Sequence, residues 1–171
     1  MNNILKKNFY KKRIVVTGHS GFKGSWLTLW LKTYNAKIMG ISNKILTSPN
    51  HFEELKIKKK ISDKKIDIKN LKKLKNTIKK FKPDYLFHFA AQSIVSKSYE
   101  DPIDTWQTNT MGTINVLETL KSFKHNCVAI IITSDKCYRN FEIKRGYSEN
   151  DILGGNDPYG GSKAAAEIGI K

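Results

Sequence analysis

The sequence predicts an α/β fold: a doubly wound parallel sheet with helices on both faces. Three observations carry that prediction. Short apolar runs rich in β-branched residues alternate with amphipathic stretches along the whole chain, the pattern of strand–helix–strand units. The first run leads directly into a glycine-rich turn followed by a helical stretch. The length, 171 residues, suits one domain with a sizeable core, so the chain reads as a single unit over residues 1–171.

Arg13 to Thr17 (RIVVT) is entered from charge and left at Gly18, as a buried strand would be. In the stretch after the glycines, Phe22, Trp26, Leu29 and Trp30 share one helical face, which predicts that this face packs on the sheet. Ala36–Ser42 is a second strand. Ser48-Pro49-Asn50 is a turn and cap signature, with a short helix within Thr47–Leu55. Ile61–Ile68 is a third strand. Asn70–Phe81 is a helix, stopped by Pro83, with Leu71, Leu74, Ile78 and Phe81 at helical spacing. Tyr85–Ala91 is a fourth strand. Pro102–Phe123 is a long helix with Met111, Ile114, Leu117 and Leu120 expected inward, and Cys127–Thr133 is a fifth strand. A last helix opens at Asp157. No repeat, low-complexity linker or internal boundary interrupts the series.

The formal net charge is +16, which raises nucleic acid or an anionic membrane as partners. The placement of the charge argues otherwise. Between Lys56 and Lys82 the cations are nearly all lysines, few aromatics accompany them, and the helical spacing of the apolar residues leaves them on a solvated face. Cys127 and Cys137 lack metal-ligand spacing, and the histidines are scattered, so no metal is expected. No leader and no membrane-length apolar run is apparent, so the expectation is a cytoplasmic protein that binds neither nucleic acid nor membrane.

Gly18-His19-Ser20-Gly21-Phe22-Lys23-Gly24 is G-x-x-G-x-x-G at the junction of first strand and first helix. The first glycine permits the tight turn, the second lets the backbone approach a pyrophosphate, and the third allows close packing of helix on sheet. The N–H groups of the helix start then hold phosphates. Gly18, Ser20, Gly21, Phe22, Lys23 and Gly24 are therefore candidate cofactor-binding residues. A P-loop is excluded because Lys23 precedes Gly24 instead of following a glycine. A nucleophile elbow is excluded because Gly18-x-Ser20 is followed by Phe22, not by a second glycine two residues on.

Tyr159-Gly160-Gly161-Ser162-Lys163 is Y-x-x-x-K at a helix start, so both side chains share a helix face. An ammonium close to a phenol favours the phenolate, which can exchange a proton with a sugar hydroxyl while hydride moves to a nicotinamide. The fifth strand ends in Thr133-Ser134-Asp135-Lys136-Cys137-Tyr138, at the carboxyl edge where a doubly wound sheet places its site. By itself the same string also reads as a turn in which Ser134 and Asp135 cap backbone groups.

The T-G-x-x-G-x-x-G spacing resembles the extended short-chain dehydrogenase/reductase family, the nucleotide-sugar epimerases and dehydratases. That resemblance adds Asp67-Ile68 near the adenine, Ala90-Ala91 and the following Gln92 near the nicotinamide ribose, and Asn109 in the long helix. It adds roles for Tyr159 and Lys163 in holding the cofactor, which it implies is NAD. One departure stands out. The family's acidic residue at the end of the second strand is absent; the segment reads Gly40-Ile41-Ser42-Asn43-Lys44, where Lys44 could attract a 2′-phosphate.

The strings GHSGFKGSW, HFAAQSIVSKSY, TNTMGT, TSDKCY and GYSENDILGGNDPYGGSK narrow the resemblance to the CDP-glucose 4,6-dehydratase branch and cover nearly the whole chain. This implies a lyase that converts CDP-glucose to its 4-keto-6-deoxy product for deoxysugar and surface-polysaccharide synthesis. The implied catalytic set is Ser134, Asp135, Lys136, Tyr159 and Lys163. It also implies a homodimer through the long helices, and relatives about twice this length whose further C-terminal part grips the nucleotide sugar. On that view the present chain is incomplete at its C-terminus, and alone would be poorly stable and nearly inactive. Another nucleotide-sugar epimerase or dehydratase, a non-catalytic NAD-binding remnant, and a salt-sensitive nucleic-acid binder remain the competing readings.

Overall fold

The computed structural model of the chain describes residues 2–45 and 47–171. The elements run α1 (Asn2–Phe9), β1 (Arg13–Thr17), α2 (Phe22–Thr33), β2 (Lys37–Ser42), α3 (His51–Glu54), β3 (Ser62–Lys65), α4 (Leu71–Phe81), β4 (Tyr85–His88), α5 (Val95–Glu100), α6 (Pro102–Trp106), α7 (Gly112–Lys121), β5 (Val128–Ile131) and α8 (Pro158–Ile170). The five strands form one sheet in the order β3-β2-β1-β4-β5. Every pairing is parallel, with Val15 opposite Met39 on one side and Leu86 on the other. The chain direction of the strand order reverses between β1 and β4, which opens a crevice at their carboxyl ends.

Alternation along the strands sends neighbours to opposite faces. Val15, Met39, Ile41 and Leu86 pack with Leu74 and Ile78 of α4 and Val116 of α7 on one face. Ile14, Val16 and Ile38 pack with Leu31 of α2 on the other, where Phe9 of α1 also contributes. The lysines of α4 stay on the solvent side, and the Asn70 side chain caps the helix by accepting from Lys73 N.

Several sequence-based expectations need correction. The aromatic face of α2 is the solvent face: Phe22, Trp26 and Trp30 are 71%, 51% and 49% exposed, while Gly24, Ser25, Thr28 and Leu31 are buried. Close approach of helix to sheet selects small residues, so bulk on one face marks the outside here. The stretch 102–123 is not one regular helix. Gln107–Met111 forms a π turn between α6 and α7, and its extra residue rotates the faces on either side. Met111 is therefore 53% exposed, and Asn109, Gly112, Thr113, Val116 and Thr119 are the inward residues. The strands are also shorter than the apolar runs. β3 ends at Lys65 and β4 at His88, so Asp67-Ile68 and Ala90-Ala91 lie in the loops beyond them. The helices α1 and α5 were not expected; α1 is mostly polar and α5 is short, so neither shows a strong apolar period.

Candidate active site

The glycine loop closes β1 onto α2 by backbone packing. Gly18 has φ +73°, and a Cβ there would lie 2.6 Å from Ala90 N, so the loop rests on the chain leaving β4. A Cβ on Gly24 would lie 2.2 Å from the Gly18 carbonyl oxygen, which fixes the start of α2 against the turn. Gly21 occupies the N-cap of α2 without a side-chain cap bond, and no acidic residue stands in the first turn. The helix start therefore offers backbone N–H groups and a positive dipole end to an anion, with Lys23 exposed beside them. This cradle fits the pyrophosphate of a dinucleotide.

His19, which sequence reasoning passed over, locks this loop to the neighbouring strands. Its ring lies where a Cβ on Gly40 would fall, its Nε2 meets Asp63 Oδ1 at 2.9 Å, and its Nδ1 meets Ser42 Oγ at 3.1 Å. Burial lowers its pKa although Asp63 pulls the other way. Ser20 N donates to Ser42 Oγ, and Ser20 Oγ to the Lys44 carbonyl, so Ser20 faces the end of β2.

No carboxylate comes from β2 itself, but Asp67 reaches that place from beyond β3: Asn43 Nδ2 donates to Asp67 Oδ2 at 3.3 Å. Asp67 also accepts from Lys69 N at 2.9 Å. Ile68 turns away from this rim. Its side chain is core, pressed against Gly112, and it can meet a cofactor only through its backbone.

Beyond β4 a buried polar network ties the crevice together. Asn109, inside the π turn, accepts from Gln92 N at 2.8 Å and donates to Gln92 O and to Ser162 Oγ, each at 3.0 Å. Ala90, Ala91, Gln92 and α8 are thus held around one side chain. His88, fully buried, bonds Thr17 Oγ1 through Nδ1 (2.6 Å) and Thr113 Oγ1 through Nε2 (3.1 Å). Thr113 spends its hydroxyl proton on the Asn109 carbonyl at 2.6 Å, so Nε2 is the donor and Nδ1 accepts from Thr17. Burial, reinforced by the field of Lys163, pushes the His88 pKa down to about 3.

Tyr159 and Lys163 stand one turn apart on α8, buried to 8% and 6% exposure. Asp157 caps the helix, accepting from Gly160 N at 2.9 Å, and Tyr159 N donates to Ser98 Oγ at 3.2 Å. Lys163 Nζ reaches the Ile132 carbonyl at 3.4 Å, at the end of β5. Burial lowers its pKa to about 8, with Cys137 and Glu167 acting in the opposite direction.

Asp135 and Lys136 sit in a 3₁₀ turn, Asp135–Cys137, after β5, and Ser134 caps it. Ser134 Oγ accepts from Lys136 N at 3.2 Å and donates to Asp135 Oδ1 at 3.1 Å. Asp135 and Lys136 present exposed side chains. The turn is packed on α8: a Cβ on Gly160 would come 2.9 Å from the Lys136 carbonyl oxygen. The structure thus brings the glycine loop, the Ala90–Gln92 segment, the Ser134–Lys136 turn and the Tyr159–Lys163 pair to one edge of the sheet. Among the described residues no helix is long and apolar enough to cross a membrane.

A family model described as GDP-mannose 4,6 dehydratase matches residues 15–171. The chain is 46% identical over 166 residues to a CDP-glucose 4,6-dehydratase of Salmonella typhimurium, covering 96% of this chain and 46% of that protein. It is 32% identical to a dTDP-D-glucose 4,6-dehydratase of Dictyostelium discoideum, covering 98% and 41%. The crystal structure of a dTDP-glucose 4,6-dehydratase from Bacillus anthracis in complex with NAD is similar with a TM-score of 0.74 and 29% identity, over 92% of this chain and 48% of that one. The chain spans about half the length of the curated relatives it matches.

Proposed function

Because the chain belongs to the family described as GDP-mannose 4,6 dehydratase, we propose that it carries the cofactor-binding and catalytic residues of a cytoplasmic, NAD-dependent CDP-glucose 4,6-dehydratase. The observation that carries the reading is the docking of the Ser134–Lys136 turn on the helix start that bears Tyr159. CDP-glucose is the preferred substrate because the identity is 46% to a CDP-glucose enzyme and 32% to a dTDP-D-glucose enzyme. The product would feed deoxysugar and surface-polysaccharide synthesis.

NAD fits the cradle described above, with Gly18, Ser20, Gly21, Phe22, Lys23 and Gly24 at the pyrophosphate, Asp67 and the Ile68 backbone toward the adenine, and Ala90, Ala91, Gln92 and Asn109 toward the nicotinamide ribose. Bound there, it would supply the acceptor for the C4 hydride and return that hydride to C6 after water is lost, so it ends as it began. The chain's own residues handle the protons. Tyr159 accepts the proton of the sugar 4-hydroxyl, helped by Ser134 and Lys163. The resulting 4-keto group acidifies C5–H. A base removes that proton while Asp135 protonates the departing 6-hydroxyl, so water leaves across C5–C6, and Lys136 stands next to Asp135 where that base is needed. Lys163 would also hold the cofactor ribose. A second copy of the chain docks on the exposed apolar residues Ile103, Trp106 and Met111, giving a homodimer.

The test is turnover by the full-length protein of CDP-, dTDP-, UDP- and GDP-glucose in parallel, read by mass spectrometry. Loss of one water from CDP-glucose, with NAD recovered unchanged, is the expected result. Equal rates on all four overturn the substrate assignment. Epimer formation without water loss overturns the dehydratase assignment.

A further inference from the structure

Glu167 lies on α8 one turn beyond Lys163, and none of the chemistry above uses it. Its Oε1 accepts a hydrogen bond from Thr133 Oγ1, the residue immediately before Ser134. The Cys137 thiol, immediately after Lys136, approaches the same oxygen at 4.0 Å. One carboxylate thus touches both ends of the Ser134–Lys136 turn, and it does so from the helix that presents Tyr159 and Lys163.

Glu167 also stands at i+4 from Lys163 on the same side of α8, and its charge favours the Lys163 ammonium. The other titratable groups around that ammonium are Tyr159 one turn back on α8, His88 from β4 and Cys137 from the 3₁₀ turn. Burial keeps the His88 ring neutral and pushes the Cys137 thiol up, so it too is uncharged at neutral pH. The negative charge opposing the burial of Lys163 therefore comes from Glu167.

We propose that Glu167 is a positioning residue of the candidate active site, holding the Ser134–Lys136 turn against α8 through Thr133 and keeping Lys163 an ammonium beside Tyr159. Its effect on turnover rests on the dehydratase reading; its effect on Lys163 does not.

The experiment uses the full-length protein with Glu167→Gln, Glu167→Ala and Thr133→Val. Glutamine keeps an acceptor for Thr133 and removes the charge, whereas Thr133→Val removes the bond and keeps the charge. In the pH profile of kcat, E167Q moves the alkaline limb toward acid by about one pH unit, the size of one partly screened ion-pair interaction. T133V leaves the limb in place and lowers kcat about tenfold, as expected when a proton-transfer group is misplaced. E167A shows both effects. An unmoved limb in E167Q together with unchanged kcat in T133V overturns the proposal.

If the wild-type protein turns over no sugar nucleotide, the dehydratase reading fails and melting temperatures decide the positioning role. A buried lysine with a lowered pKa makes stability rise with pH as it loses its proton in the folded state. That rise begins about one pH unit lower in E167Q than in wild type, and the difference disappears in a Lys163→Met background. Equal onsets in wild type and E167Q overturn the proposal.

Discussion

Gly155 lies against the backbone of Gly160: a Cβ added at Gly155 would come 2.1 Å from the Gly160 carbonyl carbon and 2.3 Å from Gly161 N. The segment leading from the Ser134–Lys136 turn into α8 therefore closes onto the first turn of that helix. Two backbones meet there with no side chain between them, which sets where Tyr159 stands relative to Asp135. Gly155→Ala inserts a methyl group where no flexible neighbour can yield. It is expected to cost about 3 kcal/mol of stability or to displace the start of α8. Chemical denaturation of the full-length protein measures the first outcome, and loss of turnover with sugar-nucleotide binding retained measures the second.

The glycine loop gives a second prediction. In Gly24→Ala the new methyl would lie 2.2 Å from the Gly18 carbonyl oxygen, so α2 must move off the turn. Its N–H groups then no longer converge on one anion. NAD affinity is expected to fall at least tenfold, about 1.4 kcal/mol, by calorimetric titration. An unchanged affinity would remove the cofactor from this loop.

Lys163 carries its charge against burial, which lowers its pKa to about 8 from 10.5. Below about pH 8 both folded and unfolded chains hold the proton, and the folded chain bears the full desolvation cost. Between about 8 and 10.5 the unfolded chain holds more protons, so stability rises with pH. Lys163→Met is therefore expected to stabilise the protein at pH 7 by about 1–3 kcal/mol while abolishing turnover. Melting curves at pH 7 and 9 check this, and the gain should shrink at the higher pH.

His88 predicts the acid limb. Its ring must be neutral, because Nδ1 accepts from Thr17 and Nε2 donates to Thr113. With the folded pKa at about 3 and the unfolded value at 6.5, the unfolded chain binds the extra proton across that window. Stability is lost as pH falls below about 6.5. His88→Gln is expected to be less stable at pH 7, since it breaks the relay, but to flatten the fall between pH 6.5 and 4. Melting temperature against pH compares the two slopes.

The sheet and the order of the helices were legible in the sequence because strand runs and helical periods are local signals. The glycine loop and the Tyr159–Lys163 pair were legible because their chemistry demands residues at fixed spacing. Resemblance also drew attention to Asp67, Ala90 and Asn109, which the structure brings to the carboxyl edge of the sheet. What it misread were faces. Phe22, Trp26 and Trp30 form as good an apolar stripe as any, yet α2 buries Gly24, Ser25 and Thr28, because tight packing on the sheet leaves no room for rings. Met111 was turned outward by a π turn that periodicity counts cannot see.

The sequence by itself therefore determined the fold class and singled out the glycine turn and the Tyr159–Lys163 spacing, all set by short-range pattern and side-chain chemistry. Only the tertiary structure decided which groups face them. Thr17 and Thr113 meet His88, and Glu167 meets both Thr133 and Cys137, across separations of tens of residues that parallel crossovers close. Burial is a property of that packing, not of the local chain. The same lysine would titrate as an ordinary amine on the surface, and its burial on α8 against the end of β5 is what lowers its pKa.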